Sequence, residues 1–153
     1  MSSGHYSSLI KTASRQTQSD YIRYLRMLKH DIICFQETHA KTPELIDSLN
    51  IHFQPQASIW NKHLGIASFS SSFQLSLIDT SSFYVSDRFQ LCKVEHPQQF
   101  YTPFYILNIY ATANSNPERR EFFDQLTSML YAMNEQFSLD RMIIAGDFNY
   151  SIL

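Results

Sequence analysis

Two apolar runs on either side of one amphipathic segment restrict the folds open to this chain more than any other feature. "TPFYILNIYAT" (102–112) reads as a long apolar strand. After a Ser/Asn loop, a helix is expected from Pro117 with Asn116 as its cap; its apolar residues fall at 122, 123, 126, 129, 130, 133 and 137. That spacing is the strongest helical stripe in the sequence. "RMIIAGDF" then returns as a buried strand. A β-α-β order of this kind belongs to a mixed α/β domain in which helices cover sheets.

The N-terminal part agrees. Apolar residues at 21, 24, 25 and 28 predict a helix over Ser19–Lys29, with Ser19 as N-cap, behind a mobile, disordered tail of residues 1–16. "DIICFQ" (31–36) reads as a buried strand, and "TPELIDSLN" (42–50) as a short helix with Thr42 as cap and Pro43 at its first position. Between them and residue 102 lie "FQPQASIW", "GIASFS", "FQLSLID", "FYVS" and "RFQLCKVEH". Short alternating runs separated by Ser, Asn, Asp and Gly are the pattern of antiparallel strands joined by turns. No repeat or linker interrupts the chain, so residues 17–153 are expected to form one domain. Only three glycines are present, and each is expected where the backbone needs it.

Composition removes several function classes. With 44% hydrophobic and 17% charged residues and a net charge of −2, the 153-residue chain can bury a core but lacks the overall basic charge of a tight stand-alone nucleic-acid binder. Cys34 and Cys92 lie in apolar strand-like runs without zinc spacing and read as buried free thiols. The absence of a signal-like or membrane-length apolar segment leads to the expectation of an intracellular protein, nuclear or cytoplasmic.

Three of the apolar strands deliver a polar residue at their carboxyl ends: Glu37 after "DIICFQ", Tyr110 at the end of "YILNIY", and Asp147 with Asn149 after "MIIAG". Such strand ends converge on a common rim in α/β proteins. Glu37 and Asp147 are hard oxygen donors of the kind that hold Mg2+ together with water and phosphate. Asn149 would share the side of Asp147 if the strand geometry persists, and could donate to a phosphate oxygen. Taken singly, each has a plainer reading. Glu37 could be a solvated loop residue, Tyr110 a half-buried aromatic, and "GDFN" a turn. The six histidines, His63 among them, read as surface residues.

Taken in order, "DIICFQETH", "NIYAT", a capped helix carrying "REFFDQL", and "IIAGDFN" resemble the endonuclease/exonuclease/phosphatase superfamily. "DIICFQETHA" is most similar to the endonuclease domains of LINE-type retrotransposons. The resemblance implies a four-layer α/β/β/α sandwich of DNase I-like type and a Mg2+-dependent phosphodiesterase, with Mn2+ as a substitute ion. It implies Glu37 as metal ligand and Tyr110 as a contact to the scissile phosphate. Asp147 would orient or deprotonate the attacking water, and Asn149 would stabilise charge on the phosphoryl oxygens. DNA is the implied substrate, and a reverse transcriptase domain the implied partner in a full-length element.

The chain also departs from that pattern. Its first Asn is Asn50, so the metal-binding Asn of the family's first strand has no counterpart, and neither does that strand. Tyr110-Ala111-Thr112 stands where Tyr-Ala-Pro is usual. The family's C-terminal part, with a further Asp and a Ser-Asp-His, has no counterpart before Leu153. A missing acid–base group costs about 10²–10⁴-fold in rate, so the expectation is a partial sandwich, inactive by itself, of the kind a broken retroelement leaves behind. Two other readings stand beside nicking of DNA. One is a phosphatase or RNA-directed member of the same superfamily; the other is a non-catalytic interaction module using the aromatic middle and the 117–137 helix.

Overall fold

The computed structural model describes the backbone of residues 4–83 and 86–149, and the side chains from Gln16 onward. Two sheets lie face to face. The first has the order β1-β3-β2, from Ile32–Gln36 (β1), Ala57–Trp60 (β2) and Leu64–Ser68 (β3), with antiparallel pairing throughout. The second has the order β4-β5-β6-β7, from Gln74–Leu77 (β4), Phe89–Glu95 (β5), Phe104–Tyr110 (β6) and Met142–Asp147 (β7). Within it β6 and β7 are parallel, as the crossover through helix α3 (Asn116–Met133) requires. The expected "FYVS" strand falls partly on residues 84 and 85, outside the described residues.

Period-two alternation sorts these strands into layers. Phe89, Leu91, Leu107 and Ile109 face α3, where they pack with Phe122, Leu126, Met129 and Met133. Their neighbours Cys92, Val94 and Ile106 face the first sheet and meet Ile66, with Cys34 and Ile59 at the margin. On the outer side of the first sheet, Phe53 of helix α2 (Pro43–Phe53) packs against Phe35 and Trp60, with ring centroids 4.8 and 6.4 Å away. The result is a DNase I-like α/β sandwich in which helices flank two stacked sheets; the strand and helix patterns predict helix-covered sheets, and the sandwich is what the family resemblance implies. Both cysteines are free, and burial pushes their thiols up to about 11 (Cys34) and about 12 (Cys92). Among the described residues, no helix is long and apolar enough to cross a membrane.

Details of the elements differ from the sequence-based expectation. Helix α1 starts at Gly4 and runs to Met27, so it covers most of the segment expected to be a tail, and Ser19 lies inside it. No Gly or Pro between His5 and Met27 interrupts it. Its stripe is shifted too: Ile22 is buried, whereas Tyr21, Tyr24 and Leu28 are exposed. The shift reflects loose seating. A cavity of about 370 Å³ remains between Leu25 and Arg26 of α1, Phe53 of α2, and Ile33 and Phe69. Helix α2 begins as expected, with Thr42 Oγ1 accepting from the Leu45 amide, but continues past Asn50 to Phe53. Asn50 instead accepts from Ser58 Oγ and Trp60 Nε1, at 2.7 and 2.8 Å.

Candidate active site

Three carboxyl strand ends meet where the layer between the sheets opens to solvent. On β6 the residues facing the first sheet are Ile106, Asn108 and Tyr110; in register with them on β7 are Ile143, Ala145 and Asp147. Tyr110 and Asp147 are therefore adjacent on one face. The approach is close because residue 146 is glycine. Its φ is +137°, and a Cβ there would stand 2.0 Å from the Ile109 carbonyl oxygen. From the opposing sheet comes Glu37, which leaves β1 through a left-handed residue (φ 53°). The Tyr110 hydroxyl donates to Glu37 Oε1 at 2.6 Å.

The electrostatics follow from this contact. The hydrogen bond to Glu37 holds the Tyr110 phenol above its ordinary range, helped by desolvation and by the negative charges of Glu37 and Asp147; Arg88 opposes the shift. Tyr110 is thus a neutral donor at physiological pH. Arg88 lies over the Tyr110 ring, its guanidinium carbon 4.8 Å from the centroid, and Nη1 donates to the Tyr110 carbonyl at 3.2 Å. His63 packs near the same ring, with centroids 5.9 Å apart and Nε2 3.4 Å from Asp87 Oδ2. Desolvation and the nearby cations Arg88 and Lys62 outweigh Asp87 and lower the His63 pKa, so this contact is that of a neutral imidazole. Proximity to Asp87 does not make it an ion pair.

Glu37, Tyr110 and Asp147 are brought together, and Asn149 is placed differently. The strand ends at Asp147, and Asn149 adopts a left-handed conformation (φ 44°). Its backbone N–H donates to Asp147 Oδ1 at 2.9 Å, and its Nδ2 donates to the Ala111 carbonyl at 2.6 Å. The condition of continuing strand geometry is not met, because "DFN" closes as an Asx-type turn. Arg119 of α3 secures that turn by donating to the Asn149 carbonyl at 3.1 Å.

The sequence reading missed Arg88, and it placed His63 on the surface. Both sit at the amino ends of strands and reach the rim only through antiparallel pairing. The one signal available was chemical: Asp87-Arg88 is a charged pair immediately before the apolar strand Phe89–Glu95.

The carboxylates at the rim are Glu37, which accepts from the Tyr110 hydroxyl, and Asp147, whose Oδ1 accepts from the Asn149 amide. Among the described residues no three His, Cys, Asp or Glu side chains form a metal-sized group. Carboxylate oxygens such as these suit hard cations, which commonly take further ligands from water and phosphate.

No protein-family model matches the sequence, and neither does any curated protein. Solved structures do match. A functionally unknown conserved protein from Enterococcus faecalis superposes with a TM-score of 0.62 at 15% identity, over 86% of this chain and 57% of that one. D. rerio TDP2, humanized by 14 mutations, gives 0.56 at 18% identity over 87% and 55%. ANGEL2, a 2',3'-cyclic phosphatase, gives 0.51 at 16% identity over 84% and 42%. At these identities the likeness is one of fold, and this chain spans about half the length of the structures it matches.

Proposed function

We propose that this chain carries one part of the active site of a divalent-cation-dependent phosphodiesterase of the endonuclease/exonuclease/phosphatase superfamily. The observation that supports it most is the meeting of Glu37, Tyr110 and Asp147, from three strand ends and both sheets, at one open rim. TDP2 and ANGEL2, members of that superfamily, share the fold. The segment "DIICFQETHA" favours its LINE-type branch, with DNA as substrate and a reverse transcriptase domain as partner.

In this reading Glu37 holds Mg2+ or Mn2+; its second carboxylate oxygen accepts no hydrogen bond among the described residues. The cation, when bound, neutralises charge on the phosphate. Tyr110 keeps its proton and aims it at an oxygen, either of Glu37 or of an arriving phosphate. Asp147 faces the same opening and orients or deprotonates the attacking water. Arg88, stacked on Tyr110, adds positive charge for the anionic substrate. Asn149 reaches a phosphoryl oxygen only by leaving Ala111, so its first contribution is to hold the Asp147 turn.

Cation binding is proposed for this chain and turnover for the whole protein. Calorimetric titration with Mn2+ should give binding that Glu37→Gln weakens at least tenfold. A longer protein containing these residues should nick supercoiled DNA in Mg2+, and Asp147→Ala should lower that rate by about 100-fold or more. Release of inorganic phosphate without nicking would move the substrate to phosphomonoesters. Mn2+ binding unchanged in Glu37→Gln would sink the assignment of the site.

A further inference from the structure

The two sheets share no backbone ladder, so nothing in their own hydrogen bonding determines how far one slides over the other. Apolar packing alone tolerates such sliding, because it is non-directional. Yet the site needs Glu37 from one sheet within hydrogen-bond reach of Tyr110 from the other. Directional contacts that span the gap immediately behind the site are therefore informative.

One such contact exists. Gln36, the residue before Glu37, donates from Nε2 to Asn108 Oδ1 at 2.8 Å. Asn108 precedes Tyr110 by two residues on the same face of β6 and is completely buried. Its own Nδ2 donates across the gap to the carbonyls of Phe35 on β1 and Gly65 on β3, at 3.2 and 3.0 Å. One amide thus binds two strands of the opposite sheet through both of its ends. Each partner lies one step behind a site residue: Gln36 behind Glu37, and Asn108 behind Tyr110.

We propose that the Gln36–Asn108 amide pair is a positioning device that locks the two sheets in the register at which Glu37 meets Tyr110. Its importance to activity rests on the phosphodiesterase reading; its effect on the Glu37–Tyr110 contact does not. A buried Asn108 and a half-buried Gln36 could serve merely as satisfied core polar groups. An apolar pair of equal shape would then do nearly as well, since replacing both partners of a buried hydrogen bond can be close to neutral. The built-in comparison is Gln90, beside Asn108 on β5. It is also buried and also spans the gap, donating to the Ile59 carbonyl at 3.2 Å, but it leads to β2, away from Glu37. Among the described residues its Oε1 has no partner.

The test reads the Glu37–Tyr110 contact directly. With tyrosine labelled at 13Cζ, the Tyr110 resonance is assigned by Tyr110→Phe, and its position without a charged acceptor by Glu37→Gln. Gln36→Met, of equal length but without donors, should move the wild-type resonance most of the way to the Glu37→Gln position. Gln90→Met should leave it in place. The proposal is overturned if Gln36→Met leaves the resonance unmoved, or if Gln90→Met moves it as far. A second measurement needs no variant: the Gln36 side-chain amide protons should exchange with solvent at least tenfold more slowly than those of exposed Gln98. Equal exchange would overturn the proposal whether or not the variants fold. Neither readout depends on catalysis, so a failure here is distinguishable from a failure of the functional reading.

Discussion

The layer between the sheets is one physical environment at β6 and another at β7, a single strand away. At β6 Asn108 is fully buried and makes three hydrogen bonds to the opposing sheet. At β7, in register beside the same layer, Ile143 is 54% exposed, and Ile144 on the α3 side is 38% exposed. The polar residue is inside and the apolar ones face out, the reverse of the usual rule. The cause is position in the sheet: β6 is flanked by β5 and β7, whereas β7 is an edge strand among the described residues. The difference divides the candidate site. Its Glu37–Tyr110 half is braced from behind by the buried Asn108 and the half-buried Gln36, and its Asp147 half rides on an open edge, held by Gly146, the Asn149 turn and Arg119.

The largest effect is expected at the braced half. Asn108→Leu keeps the branched shape but leaves Gln36 Nε2 and the Phe35 and Gly65 carbonyls without their partner. A stranded group costs about 1–3 kcal/mol where fully buried and less where half-buried, as Gln36 and Phe35 are, so a loss of roughly 3–5 kcal/mol should appear in urea denaturation. A loss under about 1 kcal/mol would mean water reaches this layer, and the contrast with β7 would collapse.

Next comes the joint between the halves. Gly146→Ala places a Cβ against the Ile109 carbonyl at a φ of +137°, where an L-residue is strained even without the collision. A destabilisation of roughly 2–4 kcal/mol is expected, with the Asp147 side of the rim displaced and the Gln36–Asn108 contact intact. If the amide contact were lost as well, the halves would be one mechanical unit.

This division also explains how much was legible in the sequence. Glu37, Tyr110 and Asp147 stood out because each ends an apolar run, a local property, and strands converge at their carboxyl ends; the run before Asp147 is expected to be buried, whereas its Ile143 and Ile144 are exposed on an edge strand. Asn149 was placed with Asp147 by extending that pattern two residues too far; the turn that Asp147 itself nucleates broke it. Arg88 and His63 could not be found by periodicity, since their approach to Tyr110 depends on which strands pair. Asn108 and Gln36 lie within the apolar runs that end at Tyr110 and Glu37, yet a polar residue within an apolar run carries no sign of its partner until the sheets are stacked. Helix α1 failed differently. Its apolar residues allow two overlapping stripes, and loose packing on α2 selects Ile22 and Leu25 over Tyr21 and Tyr24.

A smaller effect should follow pH at the braced half. The folded phenol of Tyr110 keeps its proton to higher pH than an unfolded one, because its hydrogen bond to Glu37 favours the neutral form. Its contribution to stability is therefore whole below the ordinary phenol value near 10 and fades as pH rises through the folded value. The pair is largely solvent-accessible, so the stability change is modest, and ultraviolet difference titration against Tyr110→Phe is the sensitive probe. Glu37→Gln should return the titration toward lower pH. An unchanged titration would mean that the rim does not hold its contact in solution.

The smallest effect is expected on the open edge. Ile143→Lys puts a charge on a position already more than half exposed, and surface substitutions of this kind change stability by about 0.5 kcal/mol or less. The added charge should also raise solubility, because a lysine on an edge strand discourages pairing with another chain. Denaturant midpoints and light scattering measured on the same samples read both consequences. The informative failure is a loss of more than about 2 kcal/mol whose size depends on protein concentration. That result would show Ile143 to be covered in solution by another copy, since only an associating state responds to concentration. Asp147 would then lie beside an intermolecular seam, and the contrast between a braced half and an open half would become one between intramolecular and intermolecular bracing.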